Sequence, residues 1–264
     1  SENELLLARW EAKLDTFQGA NFRTLTAKVQ FHLSSINLSV FSKRNLPAML
    51  AKSQSFLQLF ESQQLFMLEN PLLMAKTLIN IIGIAAEANN QEAALQALSQ
   101  MLWIKESDET VGALIAHEVT LAHFLLAWQF KDIVSGKRAC GLFEENYLIL
   151  RNRIKPVSFL WLHFFAACFF FDQGEYKEAE AVIDRVFRFE EVKIDLLVNL
   201  KVIRLMSIYL QGNEMSGFGI VLKATENYVD AKSRTDYSVQ KRVISAIQSL
   251  YQQRYEFSNA LETW

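Results

Sequence analysis

Between residues 175 and 188, apolar side chains recur at steps of three and four: Tyr176, Ala179, Val182, Ile183, Val186 and Phe187. Lys177, Glu178, Glu180, Asp184, Arg185 and Arg188 fill the other positions, so the segment reads as an amphipathic helix. The stretch 91–104 repeats the pattern with Ala94, Leu95, Ala97, Leu98, Met101 and Leu102. No segment alternates apolar and polar residues with the period of two that a half-buried strand needs, so an all-α chain is predicted. Pro47, Pro71 and Pro156 each precede an apolar periodic run, where a fixed φ and a missing N–H suit a first helical turn.

Short polar breaks at 89–90, 105–110, 152–155, 173–174 and 211–213 separate the helices and have the lengths that antiparallel neighbours use. Breaks within helix pairs near 46, 90, 132, 176, 214 and 255 give a period of about forty residues, the mark of stacked helix-turn-helix units. The chain thus divides into a lone helix over 2–17 and pairs over 22–66, 71–104, 111–151, 157–188, 192–230 and 235–264. These form a single repeat domain over 1–264. A short final helix over 255–264, ending on Trp264, and the lone first helix look like the ends of an excised fragment. They are also the places where self-association is expected.

The segment FFFDQGEYKEAEAVIDRVF, residues 169–187, resembles the middle of a tetratricopeptide repeat. Gly174 and Tyr176 fall in the inter-helix turn, Ala167 and Ala179 at the small positions of the two helices, and Phe170 at an aromatic position. Small residues at a helix crossing let two backbones approach, and a ring fills the space between turns. YLQGNEMSGFGIVLKA echoes the motif through Gly212, Gly217 and Ala224, and Asn90-Gln91-Glu92-Ala93 does so more faintly. His163 stands where the family carries a large apolar residue, and Glu191 where a proline closes the repeat. The resemblance implies a right-handed superhelix of antiparallel helix pairs whose concave face binds a peptide or a protein.

The composition fits this architecture: 51% of residues are hydrophobic, and the chain holds only nine glycines and three prolines. With 27 Lys and Arg against 29 Asp and Glu, the net charge of -2 gives no footprint for a polyanion, so nucleic acid is not an expected partner. Cys140 and Cys168 have neither CxxC nor zinc-ligand spacing and read as free, buried thiols of a reducing, cytoplasmic compartment. The chain opens SENELLLARW, without a basic n-region. The apolar run 157–171 measures about 22 Å as a helix, too short for a bilayer core of roughly 30 Å, and 71–88 is interrupted by Lys76, Asn80 and Glu87. No membrane span is expected.

Catalytic patterns fail on spacing. His117-Glu118 opens like a zincin motif, but Leu121 occupies the second histidine's place, and His123 lies about 240° further round the helix. His32 and His163 stand alone. Gly217-Phe218-Gly219 lacks the third glycine and the preceding strand of a dinucleotide loop. Glu144-Glu145 and Glu190-Glu191 are neighbours in sequence that point to different helix faces. No enzyme, cofactor or metal is expected.

Binding surfaces remain. Arg151, Arg153 and Lys155 end a helix, where its dipole favours cations, and would equally suit an acidic peptide or phosphate. Lys201 and Arg204, one turn apart, are either solvated or line an anion-accepting groove. Trp161, Phe164, Cys168 and Phe171 form one edge of the helix over 157–171, serving either as core or as an apolar groove for a partner. The expected function is a protein-interaction scaffold whose concave face comes from the helices near 111–128, 157–171 and 193–210. Candidate partner-binding residues are Trp161, Phe164, Phe171, Lys201 and Arg204. A helical-repeat RNA-binding protein and an all-α enzyme with a central pocket are the alternatives.

Overall fold

The computed structural model describes residues 9, 10, 12, 13, 16, 46–62, 71–104, 109–186, 194–212, 217–231 and 237–262. Among them every regular element is a helix and there is no strand, so the chain is all-α and compatible with a helical-repeat fold. Most of the lone helix expected over 2–17, and the first half of the pair over 22–66, lie outside the described residues. The chain divides into two compact units, Ser1–Ile154 and Lys155–Trp264.

The first unit contains α1 (Leu46–Ser62), α2 (Pro71–Glu87), α3 (Gln91–Leu102), α4 (Glu109–Phe130), α5 (Ile133–Glu145) and α6 (Tyr147–Arg153). Helix α2 packs on both α3 and α4, burying Leu78, Ile81, Ile82 and Ala85 against residues that include Ala94, Ala97, Leu98, Met101, Ala122 and Leu126. The alanines of α3 leave no bulk between the helices, which is why so small a face is wholly buried. The turn between α2 and α3 works by local chemistry. Asn89 takes a left-handed φ of 52°, Asn90 N–H donates to the Ala85 carbonyl at 2.8 Å, and the Asn90 side chain accepts from Ala93 N–H at 3.0 Å.

Helix α4 is, among the described residues, the one helix long and apolar enough to cross a membrane by length and composition. Its apolar window is mostly buried inside this unit, with α2, α3, α5 and α6 packed around it. His117, Glu118 and His123 break up its apolar run in the sequence, which draws attention instead to 71–88 and 157–171. The helix pair expected over 111–151 is three helices. Asn146 ends α5 and begins α6, its N–H and its side-chain amide both turning back to the Leu142 carbonyl.

The second unit contains α7 (Pro156–Asp172), α8 (Tyr176–Val186), α9 (Ile194–Gln211), α10 (Phe218–Ala231) and α11 (Ser238–Glu262). Pro156 opens α7, as predicted. Gly174 closes it with φ 76°, while Glu175 N–H reaches the Phe170 carbonyl at 2.9 Å. Helix α8 buries Ala179, Val182, Ile183 and Val186, the face its periodicity predicts. Helix α9 is surrounded by α7, α8, α10 and α11 and contributes Leu196, Val198, Leu200, Val202 and Leu205 to the core. Phe218, Leu222, Val229, Ile244 and Ile247 complete the packing of α10 and α11 on it.

The expected break near 255 is corrected: α11 runs without interruption from Ser238 to Glu262, one long helix where a pair is expected over 235–264. The sequence around Tyr255 has no glycine, proline or polar turn cluster to stop a helix, and a repeat period projected onto it does not supply one.

Candidate functional site

Helix α7 is apolar almost all the way round, yet only one side is covered. Phe159, Leu160, Leu162, His163, Ala166 and Ala167 are buried. Val157, Trp161, Phe165, Cys168 and Asp172, spaced by three and four residues, share the opposite side. Val157 and Trp161 are each 39% exposed, and Phe165 and Cys168 are half-buried.

The rings on this side hold each other. Trp161 stacks on Phe165 with centroids 5.7 Å apart and planes 29° apart. Phe164 meets Trp161 edge-on at 5.6 Å and Phe165 at 5.9 Å. Such contacts add about 1 kcal/mol per pair and keep the rings in fixed rotamers, so a partner that buries them loses little side-chain entropy. Farther along, Phe171 lies against Tyr176 of α8 at 5.4 Å, half-buried at the inter-helix turn.

The sequence places Trp161, Phe164, Cys168 and Phe171 on one edge of this helix, as core or as the lining of a groove. The structure brings Trp161 and Phe164 into contact and puts Phe171 against the next helix. Phe165 is the residue missed. It lies four positions after Trp161, and that spacing alone would find it, because i and i+4 stack on a helix face. Cys168 is half-buried rather than fully enclosed, and burial, with Asp172 adding to it, pushes its thiol up to about 12. Neither Cys140 nor Cys168 is in a disulfide.

Lys201 and Arg204 turn to different helices. The Lys201 ammonium lies over the Tyr228 ring of α10, 4.6 Å from its centroid, and burial, with help from Arg204, lowers its pKa. Arg204 reaches α8, where its guanidinium meets Asp184 at 2.9 Å and Glu180 at 3.3 Å. Its charge is answered within the chain. Of the terminal basic cluster in α6, Arg153 pairs with Glu109 at 2.9 Å, both side chains being well exposed.

The histidines do not converge. His117 Nδ1 lies 3.5 Å from the Glu118 carboxylate. His123 is buried, and burial, with Arg138 adding to it, lowers its pKa. His163 is fully buried and donates Nδ1–H to the Phe159 carbonyl at 3.0 Å; burial brings its pKa down to about 4. Among the described residues no group of three or more His, Cys, Asp or Glu side chains is placed to hold a metal ion. Compared with family models, curated proteins and solved structures, the chain matches none.

Proposed function

We propose that this chain is a protein-interaction scaffold built of tetratricopeptide-like helix pairs, and that the outer side of α7 docks an apolar helix or peptide of a protein partner. The observation that carries the reading is the mutually packed set of exposed Trp161 with half-buried Phe164 and Phe165. A preformed aromatic stripe offers large apolar area at small entropic cost, and interface energy concentrates in such anchors. The i, i+4, i+7 spacing of Trp161, Phe165 and Cys168 suits a partner helix crossing α7.

Lys201 and Arg204 enter this reading as the supports of α9, each engaged by a neighbouring helix, rather than as a free anion clamp. The test compares the wild-type chain with a Trp161→Ala/Phe165→Ala variant as bait, followed by titration of the purified captured partner. The expected result is a partner held by the wild type and bound at least tenfold more weakly by the variant, with helicity retained. A partner bound equally by both would move the docking surface away from α7.

A further inference from the structure

A second feature, in the first unit, is a solvent-open cleft of about 490 Å³ between α1, α2 and α4. Its walls are mainly apolar: Met49, Ile79, Ile84, Leu121 and Leu125. Gly83 lines it, and an added Cβ there would meet nothing within 4 Å, so a side chain at this position would enter open space. Four titratable groups line it: Lys76 and Glu87, both exposed, with His117 and Glu118.

Glu118 is the decisive group. It is only 9% exposed, and the ion pair found for it among the described residues is with His117, 3.5 Å away. A buried carboxylate taken out of water needs a cation or several hydrogen-bond donors close by. An imidazole at that distance supplies full charge only when protonated. Lys76 and Glu87 are screened by water and decide little. The cleft thus joins an apolar trough to a buried acceptor whose ion-pair partner among the described residues is an imidazole.

We propose that this cleft is a binding site for an amphipathic amine, whose ammonium pairs with Glu118 and whose apolar body lies along Ile79, Gly83, Ile84 and Leu121. The ammonium brings charge-assisted hydrogen bonds to Glu118, and the body displaces water from apolar walls. A carboxylate head group would meet Glu118 with like charge, so the site discriminates by sign as well as by shape.

Three probes with one tail separate these contributions: n-octylammonium, n-octanol and n-octanoate, titrated calorimetrically at pH 7.5 into the whole chain. The amine should bind at least tenfold tighter than the carboxylate, with the alcohol between them. Glu118→Gln should remove the preference for the amine while leaving the alcohol unchanged. Gly83→Leu, which puts a side chain into this space, should abolish binding of the amine and the alcohol, with circular dichroism and thermal melting confirming that the variant is folded. The proposal is overturned if octanoate binds as tightly as the amine, if Glu118→Gln leaves the preference intact, if a folded Gly83→Leu variant binds the amine normally, or if the wild type gives no heat with millimolar amine.

Discussion

Arg204 reaches from α9 to Asp184 on α8, with Nε 2.9 Å from Oδ1, and the same guanidinium meets Glu180 at 3.3 Å. The arginine side chain is 28% exposed, so the pairs are partly shielded from water and worth more than a surface contact. Two carboxylates on one guanidinium also lock the register of α9 against α8. Arg204→Ala should lower stability by about 1–2 kcal/mol, since it leaves both acids beside an apolar core without their cation. Arg204→Lys should recover part of this, because a point charge cannot serve both acids in fork geometry. Urea melts monitored by circular dichroism read both values. Equal stability of the alanine variant and the wild type would make the bridges incidental.

His163 sits fully buried in α7, and burial brings its pKa down to about 4, so it contributes to the acid sensitivity of the second unit. The folded-state value lies below the unfolded value of 6.5, so the unfolded chain takes up the proton first. Stability is whole above pH 6.5 and falls as the pH drops toward 4. The loss attributable to this residue reaches at most about 3–4 kcal/mol, since each pH interval of one between the two values is worth roughly 1.4 kcal/mol. His163→Leu should flatten the stability profile between pH 4 and 6.5, whatever its effect at neutral pH. An unchanged slope in denaturant melts across that interval would show that protonation of another group governs the acid response.

Much of the helical layout can be read from the sequence, because its signals are local. Pro156 and Gly174 bound α7, the periodicity from Tyr176 to Val186 gives the buried face of α8, and Asn90 and Asp132 cap helices where polar breaks are expected. Features that depend on side chains meeting across helices are not legible in this way. The carboxylates that engage Arg204 belong to α8, and nothing in the spacing of Lys201 and Arg204 reveals them. Gly83 and Glu118, far apart in sequence, line one cleft only once α2 and α4 are placed side by side. A projected period also misleads where local signals are absent. It predicts a break near 255 inside a continuous helix and overlooks the one that Asn146 makes.

Asp132 caps α5 with one carboxylate. Its Oδ1 accepts from Val134 N–H at 3.0 Å and Ser135 N–H at 3.2 Å, and Oδ2 from the Ser135 hydroxyl at 2.8 Å. Burial works to raise its pKa, but the hydrogen bonds from Ser135 and Val134 outweigh it and hold the carboxyl below its ordinary value. The cap's contribution is therefore present above the ordinary carboxylate range and is lost as acid protonates it. Asp132→Ala should cost about 1 kcal/mol at neutral pH. Asp132→Asn, which keeps an acceptor, should cost less and remove the pH-dependent part. Thermal melts at pH 7 and pH 3 distinguish the two. An alanine variant as stable as the wild type at pH 7 would mean that the turn after Lys131, whose φ is 55°, holds without the cap.

Gly83 lies in the interior of α2 with no atom near its absent Cβ, and its φ is not in the left-handed region. A glycine there loses more backbone entropy on folding than alanine would, and no close approach of another chain segment compensates for it. Gly83→Ala should therefore stabilise the first unit by about 0.5–1 kcal/mol, raising its melting temperature by roughly 1–4 °C for a unit of this size. A methyl group removes little of a cleft of about 490 Å³, so ligand binding there should survive the change while Gly83→Leu removes it. The pair of variants separates two reasons for a glycine at this position. If Gly83→Ala destabilises the fold, the backbone or a neighbour needs the glycine. If it stabilises the fold and binding survives, the backbone does not need the glycine, and the cleft requires only that no large side chain stand there.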